Sequence, residues 1–213
     1  MIIAIDGPAA AGKGTLARRL ADHLGYAYLD TGALYRVVAV MVLRQNGDPG
    51  DAGISAEAAR TLDLDLLESA DLRTAEAGVA ASKVAAIPSV RAALVNFQRQ
   101  FAITPPGNAG GAILDGRDIG TVICPDADHK LFVTASLEAR ADRRFKELQE
   151  RDEAAIYSDV LQDMSDRDAR DANRKDAPMT QAENAILIDT SLMTQDEVFV
   201  AALEVIEGTG KSR

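Results

Sequence analysis

The chain has 213 residues, of which 47% are apolar, and its 33 acidic and 23 basic side chains give a formal net charge of −10. The apolar content excludes a disordered chain, and the low aromatic content disfavours an all-β sandwich or barrel. The acidic balance argues against a nucleic-acid binder, and the single cysteine, Cys124, excludes an internal disulfide. The longest internal apolar run, between Arg36 and Arg44, is too short to cross a bilayer. Since the start also lacks a signal-peptide pattern, we expect a cytoplasmic monomer that binds neither nucleic acid nor membrane.

Short apolar segments alternate along the chain with longer amphipathic ones, a pattern that predicts strands alternating with helices. In chain order the predicted elements are strand Ile2–Asp6, helix Lys13–Leu24, strand Tyr26–Asp30, a helix through Val37–Leu43, helices near Ser55–Leu67 and Thr74–Ala86, a helix from Pro88 to before Thr104, strands Ala112–Asp115 and Lys130–Thr134, a helix capped by Ser136, strand Ala185–Asp189 and helix Asp196–Glu207. No hairpin signal separates the strands, so they predict an open parallel sheet with helices on both faces.

The segment 151–178 differs from the rest because it is crowded with Asp and Arg and has few core-forming residues. Arg167, Arg170, Asp171 and Arg174 follow the spacing i, i+3, i+4, i+7, which places them on one helix face. A mobile helical lid over a site is one interpretation, and a plain solvated helix pair is the other. Charge alone leaves both open.

The strongest local motif is a glycine-rich turn directly after the first predicted strand, where the first helix begins. Its members are Gly7, Pro8, Ala9, Ala10, Ala11, Gly12, Lys13, Gly14 and Thr15. Such a turn aims backbone N–H groups at a phosphate, and the lysine adds a charge that reaches the β- and γ-phosphates. The strict motif has Ser or Thr directly after the lysine, whereas here the hydroxyl comes one residue later. We expect an ATP-binding loop; Gly210-Lys211-Ser212, with no strand before it, is not counted as a second one.

Four further blocks follow in order: LDTGALYR at 29–36, DGRDIGT at 115–121, RDARDANR at 167–174 and IDTS at 188–191. Together with the turn GPAAAGKGT they resemble bacterial cytidylate kinases, which are P-loop nucleoside monophosphate kinases. The resemblance implies a three-layer α/β/α P-loop NTPase fold with a five-stranded parallel sheet and a helical lid. It implies one domain, with a core of about 1–45, 110–150 and 180–213, a monophosphate-binding helical region of about 46–109 and a lid of about 151–178.

The resemblance also implies a function, namely the ATP-dependent phosphorylation of CMP and dCMP to CDP and dCDP with Mg²⁺, in pyrimidine nucleotide metabolism. The chemistry of the chain agrees with it. A monophosphate is already largely a dianion at pH 7, so phosphoryl transfer needs positioning and cations rather than a base. The chain has 17 Arg and only two His. Two alternatives remain: a kinase for another small acceptor such as UMP or shikimate, or a non-catalytic ATP-binding regulator.

The site residues are carried over from the resembling blocks. The expected catalytic residues are Lys13, Arg36, Arg117, Arg167 and Arg174. The expected substrate-binding residues are Thr31, Tyr35, Arg36, Arg73, Ser82, Arg117, Asp118, Arg167, Asp171 and Arg174. Asp accepts from the amino group of cytosine, which uracil lacks, although Arg117 and Asp118 could also be a plain loop ion pair. Arg140, Arg143 and Arg144 share one face of the helix capped by Ser136. By analogy with related kinases we expect some of them, Arg140 and Arg144 in the first place, to meet the ATP phosphates, with a surface basic stripe as the alternative. We expect Thr15 and Asp115 to support Mg²⁺ through water.

One departure from the family pattern is a short segment between Leu64-Asp65 and Leu72-Arg73. Typical bacterial cytidylate kinases carry an insert of several antiparallel strands there. The block that follows, from Ser82 to Pro88 and on to Val90-Arg91, is again similar to the family. The short segment raises the question of how tightly cytosine is discriminated and how the site closes.

Overall fold

The computed structural model describes residues 1–151 and 154–208. Three earlier interpretations therefore fall partly or wholly outside the described residues: the discounted Gly210-Lys211-Ser212, two positions of the predicted lid and the last five positions of the predicted core. Within the described residues the strands form one parallel sheet in the order β2-β3-β1-β4-β5. The strands are β1 Ile2–Asp6, β2 Ala27–Asp30, β3 Ala112–Gly116, β4 His129–Thr134 and β5 Ile186–Asp189.

Helices cover both faces of this sheet, which confirms the predicted fold class. They are α1 Lys13–Leu24, α2 Thr31–Arg44, α3 Ala52–Arg60, α4 Ala75–Val84, α5 Pro88–Ile103, α6 Leu137–Glu150, α7 Tyr157–Ala172 and α8 Gln195–Gly208. Side chains alternate along β1, so that Ile3 and Ile5 pack with α1 and α8 on one face, while Ala4 packs with α2, α4 and α5 on the other. The two faces therefore have separate apolar cores.

The prediction of one helix near Ser55–Leu67 is wrong. Helix α3 ends at Arg60, and a short 3₁₀ helix follows at Leu64–Glu68. The reason is local, because the Asp63 carboxylate accepts a hydrogen bond from the Asp65 amide and starts a new turn. A second 3₁₀ turn, Ala70–Arg73, completes the short segment between Leu64 and Arg73.

No single helix among the described residues is long and apolar enough to span a membrane. The pair Ala75–Val84 and Pro88–Asn108 reaches the required length and composition only when taken together, and it is bent by 98°.

Because the strands are parallel, their carboxyl ends share one edge of the sheet. Asp6, Asp30 and Asp115 end β1, β2 and β3 or stand one residue from the end, so three carboxylates lie along this edge. Ligands of open α/β sheets bind outside the carboxyl ends of the strands. The predicted phosphate loop and the block at 115–121 both start here.

Candidate active site

The loop between β1 and α1 has the backbone geometry of an anion-binding turn. Gly7 has a φ of +142°, and a Cβ there would lie 1.9 Å from the carbonyl oxygen of Val133. Gly12, the N-cap of α1, has a φ of +92°. Both positions therefore require glycine, and the first amides of α1 are left facing the carboxyl edge of the sheet.

Lys13 is buried at the start of α1, and its Nζ donates to the carbonyl oxygen of Pro8 at 2.8 Å. Burial lowers the pKa of Lys13, and the nearby Arg117 and Arg167 lower it further. Burial and the nearby Asp30 carboxylate raise the pKa of Asp115, whereas the positive charge of Lys13 acts to lower it. A phosphate bound beside Lys13 would add negative charge next to it and raise its pKa.

An open pocket of about 580 Å³ adjoins this loop, a size that suits a nucleotide. Its walls include the predicted loop residues from Ala10 to Thr15, together with Arg143, Thr190 and Met193. Arg143 donates to the carbonyl oxygen of Thr190 at 2.6 Å and to its hydroxyl at 3.0 Å. The end of β5 and helix α6 are therefore joined beside the loop.

The two arginines expected at the ATP phosphates have other partners here. Arg140 is buried, pairs with Asp168 of α7 at 2.6 Å and donates to the carbonyl oxygen of Ala135 at 2.9 Å. Arg144 pairs with Glu147 at 3.0 Å. Of the three arginines on this helix face, Arg143 is the one that lines the pocket.

A second pocket lies on the other side of Lys13 and is closed down to about 50 Å³. Helices α2, α4, α5 and α7 and the loop after β3 each contribute to its wall. Of the expected substrate-binding residues, the structure brings together Thr31, Tyr35, Ser82, Arg117, Asp118, Arg167, Asp171 and Arg174. Segments distant in the sequence thus converge on one small polar space.

Two expected residues, Arg36 and Arg73, are placed differently. Arg36 donates to the carbonyl oxygen of Leu72 at 2.7 Å, and burial lowers its pKa. The Arg73 side chain is exposed, and the Arg73 carbonyl oxygen accepts from Arg151 at 3.1 Å. Both residues lie at the rim of the small pocket, between α2 and the 3₁₀ turn Ala70–Arg73. The hydrogen bond from Arg151 to Arg73 also connects the end of α6 to this turn.

Buried ion pairs organise the small pocket. Asp118 pairs with Arg91 of α5, whose Nη1 also donates to the Tyr35 hydroxyl at 3.3 Å. Asp171 of α7 pairs with Arg174 and with Nε of Arg117 at 2.8 Å. Burial alone would raise the pKa of Asp171, but these arginines outweigh it and hold the pKa below its usual range.

The pocket nevertheless carries more positive than negative charge. Its wall has four arginines and two carboxylates, Asp118 and Asp171. Within the described residues the Nε atoms of Arg167 and Arg174 are buried and have no hydrogen-bond partner. Burial and the neighbouring Arg117 lower the pKa of Arg167 to about 9. Two spare positive charges and two spare donors match a doubly charged phosphate.

Sequence reasoning missed Arg91 as a site residue. Its helix has Val90 and Leu94 buried, and Arg91 lies on the same apolar side at 5% exposure. A charged residue within a buried stripe is rare unless it has a partner. That break in the apolar periodicity was the available signal, although the partner Asp118 is visible only in the folded chain.

The expected metal-supporting residues lie where the loop departs from the strict motif. A Cβ on Gly14 would lie 3.5 Å from Asp115 Oδ2 and 3.6 Å from the Tyr28 hydroxyl, which is buried without a hydrogen-bond partner among the described residues. Thr15 lines the large pocket. These oxygens suit a hard cation such as Mg²⁺. No cluster of three or more acidic, His or Cys residues in the described ranges forms a complete cage, so phosphate oxygens would supply most ligands.

A parallel sheet whose first strand leads into an anion-binding loop, with a cation-rich second pocket across a buried lysine, defines a P-loop phosphotransferase. Comparison with known proteins gives the family: the sequence model described as "Cytidylate kinase" matches residues 3–208, and the chain belongs to that family. A cytidylate kinase of Paramagnetospirillum magneticum is 60% identical over 96% of this chain and 97% of its own length. One of Rhodospirillum rubrum is 56% identical and covers 97% of both chains.

Among solved structures, an uncharacterized protein from Eubacterium ventriosum is similar with a TM-score of 0.54 and 14% identity. The similarity covers 100% of this chain and 99% of that chain. At this level of identity it bears on the fold alone.

Proposed function

We propose that this protein transfers the γ-phosphoryl group of Mg-ATP to CMP and dCMP, giving CDP and dCDP. The large pocket beside the phosphate loop takes ATP, and the small arginine-rich pocket takes the monophosphate. The observation that supports this assignment best is the second pocket, where Asp118 stands among four arginines. Shikimate has no phosphate group, so a shikimate kinase would not need an excess of positive charge in its acceptor site. A non-catalytic ATP-binding regulator would not need an acceptor site at all.

In the transfer step, Lys13 lies between the two pockets and binds the transferring phosphoryl group. The Coulombic neighbours that depress its pKa, Arg117 and Arg167, approach it from the acceptor side. They stabilise the charge that spreads over the oxygens in a loose transition state. The acceptor is already a dianion, so no general base takes part. Arg36 and Arg174 complete the set that holds the acceptor phosphate in line.

Mg²⁺ neutralises the β- and γ-phosphate oxygens when it is bound with ATP. Asp115 and Thr15 would hold it through water, beside the space left by Gly14. The Gly7–Thr15 backbone binds the phosphates directly, and Arg143 lines the same pocket. Arg140 and Arg144 have protein partners in this structure, so a part for them in ATP binding requires those pairs to break.

Selection of the base rests on Asp118, which accepts from the exocyclic amino group of cytosine. Thr31, Tyr35, Ser82 and Asp171 complete the nucleoside contacts. Arg73 at the rim is a further expected contact. Burial raises the pKa of Asp118, and the Arg91 guanidinium opposes that rise.

Binding of the acceptor requires a movement of α7. A pocket of about 50 Å³ is far smaller than the ~300 Å³ or more that small-molecule sites enclose. We therefore propose that the segment of about 151–178 is a lid on a core of about 1–45, 110–150 and 180–213, next to a monophosphate-binding region of about 46–109. We also propose that the enzyme works as a cytoplasmic monomer in pyrimidine nucleotide metabolism.

The first test is ADP formation from Mg-ATP with CMP, dCMP, UMP, AMP, GMP and shikimate offered one at a time. Fast turnover confined to CMP and dCMP supports the proposal. Equal turnover of UMP contradicts the selector role of Asp118, and robust turnover of shikimate contradicts a monophosphate acceptor. ATP binding with no transfer to any acceptor would favour the regulator.

Two variants separate the two pockets. Lys13→Ala should abolish turnover with every acceptor, since the charge at the transferring group is lost. Asp118→Ala should mainly raise the KM for CMP. Equal losses for CMP and UMP in the second variant would contradict base selection by this carboxylate.

A further inference from the structure

The carboxylate of Asp118 stands at the start of an unusually wide helical turn, Ile119–Ile123. The amides of Val122 and Ile123 both donate to the Asp118 carbonyl oxygen, at 2.9 and 3.2 Å. Such π-type turns are rare, are poorly stabilised alone and occur often at functional sites. No local sequence pattern specifies this turn, so contacts from outside it must fix its shape.

Asp6 holds the beginning of the turn. Its Oδ1 accepts from the amide of Ile119 and its Oδ2 from the amide of Gly120, both at 2.7 Å. Asp6 is only 4% exposed, and a buried carboxylate is costly unless it is fully hydrogen-bonded. A Cβ on Gly120 would lie 3.1 Å from the Lys130 side chain and 3.3 Å from Asp6 Oδ2, so the turn packs closely against both side chains.

Arg99 of α5 holds the end of the turn. Its Nε donates to the Ile123 carbonyl oxygen at 3.1 Å and its Nη2 to that of Val122 at 2.9 Å. The same helix carries Arg91, which pairs with Asp118 itself. The turn is therefore fixed at both ends by side chains from two different elements, with the base-reading carboxylate at its start.

We infer that Asp6 and Arg99 are positioning residues that set where the Asp118 carboxylate stands, and thereby the preference for cytosine over uracil. Neither belongs to the wall of the acceptor pocket. Both act through the turn, because Ile119 and Gly120 directly follow Asp118 and Ile123 closes its hydrogen-bond ring. The inference rests on the proposed function, in which Asp118 reads the cytosine amino group.

The effect should be large because a hydrogen bond to a base edge tolerates little displacement. A misplacement of about 1 Å in a catalytic or binding group can change rates about 100-fold. We therefore expect the ratio of kcat/KM for CMP to that for UMP to fall about 10- to 100-fold when either anchor is lost. Complete removal of the carboxylate in Asp118→Ala sets the largest fall available.

The experiment compares Asp6→Asn and Arg99→Gln with the wild type, measuring kcat/KM for CMP and UMP and the KM for ATP. The asparagine keeps the shape of Asp6 but turns an NH₂ group toward one of the two amides. The matched controls are Asp51→Asn, which also caps two amides, at 2.8 and 2.9 Å on α3, and Arg60→Gln, which breaks an exposed ion pair with Glu57. The controls should keep the CMP/UMP ratio within about twofold.

A merely structural role would lower the melting temperature and the active fraction but leave the CMP/UMP ratio unchanged, because that ratio does not depend on the concentration of active enzyme. An unchanged ratio in Arg99→Gln therefore overturns the inference, even if Asp6→Asn fails to fold. In the double variant Arg99→Gln/Asp118→Ala the ratio should equal that of Asp118→Ala alone, since the anchor acts only through the carboxylate. Arg99→Lys should recover part of the ratio.

The proposed function is tested separately by the wild-type and Asp118→Ala rates. If the wild type does not phosphorylate CMP, the proposed function fails, and the inference fails with it. If the wild type prefers CMP and Asp118→Ala loses that preference while both anchor variants keep it, only the inference fails.

Discussion

Replacement of Asp171 by asparagine should release helix α7 from the acceptor pocket. The Asp171 side chain is 2% exposed and pairs with Arg117 and Arg174, whose side chains are 16% and 6% exposed. The small stabilising free energies that are typical of solvent-exposed ion pairs therefore do not apply here. Hydrogen bonds to charged groups contribute ~1.5–3 kcal/mol each and neutral ones ~0.5–1.5. Only the pair with Arg117 joins α7 to the core, because Arg174 follows α7 in the same segment. Asparagine keeps at most a weaker bond to Arg117, so we expect the docking of α7 to lose ~2 kcal/mol.

A loss of ~2 kcal/mol shifts the equilibrium between docked and undocked α7 by a factor of ~30. Amide hydrogen exchange across Tyr157–Ala172, measured by mass spectrometry without nucleotide, should accelerate by up to that factor, while exchange in β1 and β3 stays unchanged. The matched control is Asp166→Asn on the same helix, where the exposed carboxylate accepts only from Gln162 at 2.8 Å. If exchange in α7 is as slow in Asp171→Asn as in the control, the docking energy does not come from this pair and the reasoning is refuted.

Three further predictions concern the phosphate loop and the acceptor pocket. Gly7→Ala should prevent stable folding, because its Cβ would lie 1.9 Å from a carbonyl oxygen of β4. The control Gly25→Ala has a φ of +67° but open space around the new Cβ, so it should lower the free energy of unfolding in urea by only ~1–2 kcal/mol. Equal losses of stability in the two variants would contradict the steric argument. Burial, with help from neighbouring arginines, lowers the pKa of Lys13 to about 7, and a bound phosphate raises it. ATP binding without Mg²⁺ at pH 8 should therefore take up a proton, seen as a calorimetric enthalpy that varies with the buffer, and a buffer-independent enthalpy would count against it. Arg91→Met should lower the free energy of unfolding by ~3–5 kcal/mol by stranding Asp118, and the double variant Arg91→Met/Asp118→Leu should regain most of it; additive losses would show that the pair is not coupled.

The sequence predicts the sheet and the phosphate loop well because both depend on local patterns. The apolar run Ile2–Asp6 followed by glycines is sufficient to place β1 and the turn, since Gly7 and Gly12 need backbone conformations that other residues rarely adopt. The spacing predicted one helix face carrying Arg167, Arg170, Asp171 and Arg174, and this is only partly right. Arg167 and Asp171 lie on α7 and line the acceptor pocket, but α7 ends at Ala172, so Arg174 lines the pocket from just beyond the helix.

The parts that sequence reasoning missed depend on distant partners. Which arginine of α6 faces the large pocket depends on partners far along the chain. Asp168 pairs with Arg140 and neutralises it, while Thr190 accepts from Arg143 and holds it at the pocket. The wide turn after Asp118 has no local signature, because its shape depends on side chains from β1 and α5. Tertiary contacts decided these points, and local propensity could not.

The small volume of the acceptor pocket affects how readily ATP is hydrolysed when no acceptor is bound. A kinase that held ATP next to an open, water-filled acceptor site would pass the phosphoryl group to water. Here the empty pocket of about 50 Å³ has room for only a few water molecules. Asp171 also occupies Arg117 and Arg174, two of the cations that would stabilise such a reaction. Under the proposed function, the side chains that wait for the acceptor would also restrain hydrolysis of ATP by water, and binding of the monophosphate would free them for transfer.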